Sequence, residues 1–92
     1  MREIATATLM IVNELGLHAR AATMLVQLAA KFESELYISK DGREVNGKSI
    51  MGVLLLTATK GTRIGVKAVG GDCEQLIEAV TELVADKFGE GV

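Results

Sequence analysis

The sequence predicts an α+β fold, a two-layer open-faced β-sandwich whose elements run strand, helix, strand, strand, helix, strand, helix. Three observations lead there. Apolar and polar residues alternate at 3–12, 36–39 and 62–69, as half-buried strands do. The apolar spacing switches to three and four residues at 19–33 and again after Asp72, the period of an amphipathic helix. Asp41-Gly42 separates two extended runs and is a two-residue hairpin signal. Alternation in every strand leaves one sheet face packed and the other wetter. Helices gathered on the packed face then make two layers.

Each element has a local cause. In the first strand Ala5, Ala7, Leu9 and Ile11 share one face, with Thr6, Thr8 and Met10 on the other. Asn13-Glu14-Leu15-Gly16 breaks that pattern as a loop. A helix follows from Ala19 to about Glu33, with Ala21 or Ala22, Leu25, Leu28, Ala29 and Phe32 as its stripe. Thr23, Gln27 and Lys31 line its outer face. Leu36 and Ile38 alternate with Tyr37 and Ser39. The return strand, 43–46, is short and polar enough for a sheet edge. Ser49 is a preferred N-cap before Ile50-Met51-Gly52-Val53-Leu54-Leu55-Leu56. Periodicity cannot separate that run from a buried strand, and Met51 and Gly52 favour a short helix in which Val53, Leu55 and Leu56 supply core. Lys60-Gly61 turns the chain into the last strand, with Ile64, Val66 and Ala68 on one face. Asp72, with Gln75 three residues on, reads as the capping box of a final helix. Leu76, Ile77, Val80, Leu83 and Val84 form its stripe, and Gly89 reads as its stop.

Size and composition narrow the function classes. Ninety-two residues without proline, linker or repeat indicate one domain, 1–92. Such a domain buries only about 60–65% of its unfolded surface, which leaves little room for a deep pocket. A net charge of −2, no basic block and no Trp argue against a nucleic-acid groove. The lone Cys73 allows no internal disulfide, which fits a reducing cytoplasm, and a lone cysteine usually fills core space. No leader pattern opens the chain, and the apolar run 5–12 is too short for a membrane span. The expectation is a cytoplasmic protein without membrane insertion.

His18 is the only histidine, and it lies in Gly16-Leu17-His18-Ala19-Arg20, directly before the first helix. Unpaired N–H groups and the positive dipole end at a helix start form an anion site. An imidazole titrates near neutrality, and the positive helix end favours its uncharged, nucleophilic form. Once a phosphoryl group is attached, the same helix end stabilises the added charge. The planar fork of Arg20 suits phosphate oxygens. Taken alone, a histidine before a helix is more often a polar cap, and Arg20 more often a solvated charge. No other catalytic machinery is visible. One histidine and one cysteine cannot make a standard zinc site, no phosphate-binding P-loop occurs, and no cofactor is expected. A phosphoryl acceptor with no donor site of its own must be loaded by a partner, which points to a carrier.

The run 13–23, Asn-Glu-Leu-Gly-Leu-His-Ala-Arg-Ala-Ala-Thr, resembles the active-site signature of the HPr family, the histidine-containing phosphocarriers of the bacterial phosphotransferase system. The run 45–53, Val-Asn-Gly-Lys-Ser-Ile-Met-Gly-Val, is similar to that family's second signature, around a regulatory serine. Lys60-Gly61-Thr62 and Gly70-Gly71-Asp72 match its turns. The resemblance implies a four-stranded antiparallel sheet covered by three helices. It implies that Enzyme I, charged from phosphoenolpyruvate, phosphorylates Nδ1 of His18, and that His18 passes the group to Enzyme IIA domains, with Arg20 as electrostatic partner. It also implies that Thr23, Gln27, Ile50 and Met51 contact both enzymes. Leu54 is expected to extend that apolar patch, unless Ile50, Met51 and Leu54 are core. Ser49 would be the phosphosite for a kinase/phosphorylase in hosts that have one, besides serving as helix cap. A monomer is expected. One departure stands out. Alanine occupies position 21, where the family usually has proline, and modestly altered kinetics are expected from it. Two rivals remain: a carrier of the nitrogen-related branch, and a regulatory domain that binds a small anion without covalent transfer.

Overall fold

The computed structural model describes residues 3–92; Met1 and Arg2, where the search for a leader begins, lie outside them. The elements are β1 (Ile4–Met10), α1 (Ala19–Ala29), β2 (Glu35–Lys40), β3 (Arg43–Asn46), α2 (Ile50–Leu55), β4 (Arg63–Val69) and α3 (Cys73–Ala85). This is the expected order. The four strands form one antiparallel sheet in the spatial order β1-β4-β2-β3. β3 lies at an edge, as its polarity predicts, and β1 forms the other edge.

Register explains the two faces. Ala7 and Ile38 flank Val66, and Ala5 and Leu36 flank Ala68, so the apolar positions of three strands fall in rows on one side. Thr6, Lys67 and Tyr37 form a row on the other side, where the Lys67 ammonium lies 5.1 Å from the Tyr37 ring centre. The buried sheet residues belong to one core with Ala21, Ala22, Leu25 and Ala29 of α1, Val53 of α2, and Leu76, Val80 and Val84 of α3. All three helices therefore cover the apolar face, and the polar face stays open. Cys73 is buried in that core and free. No helix among the described residues is long and apolar enough to cross a membrane.

Local signals mostly act as read. Asp41 and Gly42 both have positive φ, 51° and 79°, as a type I′ hairpin turn requires. The Ser49 side chain accepts from the N–H of Gly52 at 3.1 Å and caps α2.

Four readings need correction. α1 stops at Ala29, well short of Glu33, and the chain turns before β2. Leu55 is 52% exposed, because α2 is a six-residue helix with Val53 as its buried residue. Gly89 does not stop α3. That helix ends at Ala85, and Lys87, Phe88 and Gly89 follow with φ of 56°, 55° and 74°. Two non-glycine residues in the left-handed region carry backbone strain. The side chain of Phe88 offsets it, being the largest that is fully buried.

The fourth is Asp72, whose side chain makes no capping bond on α3. Its carboxylate instead accepts from the Ser34 hydroxyl and from the N–H groups of Ser34 and Glu33, both at 2.9 Å. A long-range clamp on the α1–β2 loop has displaced the local cap. Those bonds, the Ser34 hydroxyl first, hold the Asp72 carboxyl below its ordinary value. A carboxyl depressed by folding contributes stability above its unfolded pKa, and the contribution is lost as pH falls through the folded value. In Asp72→Asn, stability is expected to lie below wild type at pH 7, with the gap beginning to close only as pH falls below about 4, the ordinary aspartate value. Denaturant melts across that range check this, and a pH-independent gap would contradict it.

Candidate functional site

The loop that delivers His18 is fixed from within. Gly16 has φ of 66° and lies so close to the Ala58 carbonyl that a side chain there would collide with it. Leu17, buried, donates its N–H to that same carbonyl at 2.8 Å. Asn13 is fully buried and donates from Nδ2 to the Gly16 carbonyl at 2.9 Å. The loop therefore presents His18 in an extended conformation, φ −77° and ψ 179°, as the N-cap residue of α1.

His18 caps with its backbone alone. Its carbonyl accepts from the N–H of Ala22 at 2.9 Å, and its side chain makes no capping bond. The N–H groups of Ala19, Arg20 and Ala21 precede the first intrahelical bond and have no partner among the described residues. Alanine at 21 adds one donor that the family proline would lack. The imidazole is partly exposed, at 28%. Arg20 is exposed beside it in sequence.

The imidazole has a partner that sequence reasoning missed. Nε2 of His18 pairs with Oε2 of Glu90, whose side chain is only 7% exposed. Oε1 of Glu90 accepts from Nδ2 of Asn13 at 2.9 Å. Both protons of the Asn13 amide are thus used, one on the His18 loop and one on Glu90. The hydrogen bonds from His18 and then Asn13, with a smaller contribution from the charge of Arg20, hold the Glu90 carboxyl below the usual range. The segment carrying Glu90 is tied down on both sides, by buried Phe88 and by the Glu14 N–H donating to the Val92 carbonyl at 3.1 Å. A single carboxylate between two glycines was the only hint in the sequence.

A partly exposed imidazole at a helix start, one nitrogen tied and the other unbonded among the described residues, is a chemical unit that can accept a phosphoryl group. The family model described as the phosphotransferase-system HPr component phosphorylation site matches residues 5–86. The chain belongs to the HPr family. A phosphocarrier protein HPr of Neisseria meningitidis serogroup A is 47% identical over 81 residues, covering 88% of this chain and 91% of that protein. One from Xylella fastidiosa is 50% identical over 82 residues, covering 89% and 92%. Among solved structures, HPr from Thermoanaerobacter tengcongensis superposes with a TM-score of 0.92 at 42% identity, covering 96% of this chain and 99% of that one. The protein is accordingly an HPr-type phosphocarrier of the phosphotransferase system.

The remaining HPr-signature residues lie on two helices packed against each other. Thr23 and Gln27 are on α1, and α2, with Ser49 as its cap, rests beside it. Thr23 is half-buried and donates its hydroxyl to the Ala19 carbonyl at 2.8 Å, while Gln27 is exposed. Ile50 and Met51 are 40% and 69% exposed, so they are not core. Leu54 is half-buried against the core, and exposed Leu55 lies one helical turn from Met51. Leu15, in the His18 loop, is a further exposed leucine. No hydrogen bond joins Ser49 to His18 among the described residues.

Proposed function

We propose that this chain accepts a phosphoryl group from phosphorylated Enzyme I on Nδ1 of His18 and donates it to Enzyme IIA domains. The observation that carries this reading is the state of the His18 ring. It stands at a helix N-terminus with Nε2 held by Glu90, so Nδ1 is the nitrogen left for bonding to phosphorus. The free N–H groups of the first turn and Arg20 receive the phosphate oxygens. A residue that lends rather than consumes its phosphate needs partners that let go. The exposed side chains of Gln27, Ile50 and Met51, with Thr23 and Leu54 at the margin, give a small adaptable surface that both enzymes use in turn.

Incubation with phosphoenolpyruvate and Enzyme I should load one acid-labile phosphate per chain, which a cognate Enzyme IIA then removes. Failure of that loading with an active Enzyme I rejects the carrier reading and favours a domain that only binds an anion.

Ser49 is the proposed regulatory phosphosite. A phosphate on it adds roughly −1.5 to −2 charge on the helix beside the partner-facing residues, which repels an acidic partner surface. Ser49→Asp is expected to slow acceptance from Enzyme I, read as kcat/KM in a coupled phosphotransfer assay. Unchanged kinetics would argue against regulation through charge at this position.

A further inference from the structure

We infer that Glu90 is a positioning residue for phosphoryl transfer, one that keeps the His18 proton on Nε2 so that the lone pair of Nδ1 faces the incoming phosphorus. The inference deepens the carrier reading and rests on it for the transfer step alone. Three observations carry it. Glu90 is nearly buried and contacts Nε2, the nitrogen that the proposed transfer leaves unreacted. A carboxylate accepts hydrogen bonds and donates none, so a neutral ring facing it must place its N–H at Nε2. The carboxylate cannot swing away freely, because Asn13, itself fully buried and bonded to the loop that bears His18, holds its second oxygen.

The step balances without moving a proton. The Nδ1 lone pair forms the N–P bond while the bond from phosphorus to the donor protein's phosphorylated nitrogen breaks, returning its electron pair to the donor. The Nε2 proton remains on His18. The ring becomes a cationic N-phosphoimidazolium, and Glu90 lies beside it as counter-charge. Onward transfer reverses the bookkeeping. Without Glu90 the neutral ring divides between two tautomers, one of which has its proton on the nitrogen that must react.

Imidazole ¹⁵N shifts of the full-length protein, recorded at alkaline pH, test this without any partner enzyme. Wild type is expected to show the protonated nitrogen at Nε2. Glu90→Gln should keep that tautomer, since its carbonyl oxygen still accepts, and Glu90→Ala should lose the preference. Acceptance from Enzyme I should fall on the order of 10-fold in Glu90→Ala, as when an orienting partner of a reactive imidazole is removed. Glu90→Gln should keep part of the rate. Backbone amide spectra of both variants should match wild type away from residues 13–20 and 86–92. The same tautomer in wild type and Glu90→Ala overturns the inference, as does equal or faster acceptance by Glu90→Ala, which would make the residue a lid. Loss of all phosphorylation in wild type rejects the carrier reading instead, and the ¹⁵N shifts still decide what Glu90 does to the ring.

Discussion

His18→Ala is expected to take up no phosphate from Enzyme I while folding as wild type does. The first half follows from there being one imidazole in the chain and no other nucleophile at the helix start. The second follows from how His18 is used locally. Its side chain caps nothing, its backbone makes the helix bond, and the loop before it is held by Gly16, Leu17 and Asn13. Alanine keeps every one of those backbone contacts. The substitution also removes the largest influence that depresses the Glu90 carboxyl, so that group should titrate closer to an ordinary glutamate. Mass spectrometry after incubation with Enzyme I and phosphoenolpyruvate reads the first outcome, and a thermal melt reads the second. A phosphorylated variant would move the chemistry to another residue, and a collapsed melt would make His18 structural.

Phe88→Ala should be the most damaging single change outside that ring. Truncating a fully buried phenylalanine costs about 3–5 kcal/mol, a large share of the roughly 5–15 kcal/mol that holds a domain together. For a domain of this size the melting midpoint should fall by about 12 °C or more. The effect should not stay in the core. Lys87, Phe88 and Gly89 hold a left-handed path whose strain the buried ring offsets, and Glu90 is the next residue. Once the anchor is gone, the strained path rests on hydrogen bonds such as those from Asn13 and Glu14, and the hold of the carboxylate on Nε2 should weaken. Phe88→Leu, which refills most of the volume, should recover much of the stability. A Phe88→Ala melt within a few degrees of wild type would show that the aromatic ring anchors nothing.

What the sequence could show was whatever is settled between near neighbours. The hairpin at Asp41-Gly42 and the cap at Ser49 depend on residues within three positions, and both form as the residue types require. The strand faces were readable because alternation survives any choice of partner strand. Asp72 shows the limit. Its spacing to Gln75 suited a local cap, but Ser34 and Glu33, brought in from 38 and 39 positions away, offer its carboxylate three donors. Leu55 failed for a related reason. A short helix against a sheet edge has one inward face, and the pattern Val-Leu-Leu-Leu does not say which leucine turns outward. At the site, the loop, His18, Arg20 and the helix start were all legible in one local run. Glu90 was not, because no periodicity or motif ties position 90 to position 18.

That separation of 72 positions has a consequence for a growing chain. During synthesis the loop at 13–17 and the first turn of α1 leave the ribosome long before Phe88 and Glu90 exist. A nascent chain can therefore display an imidazole whose proton is still unassigned, and the residue becomes a discriminating acceptor only when position 90 has been threaded into place.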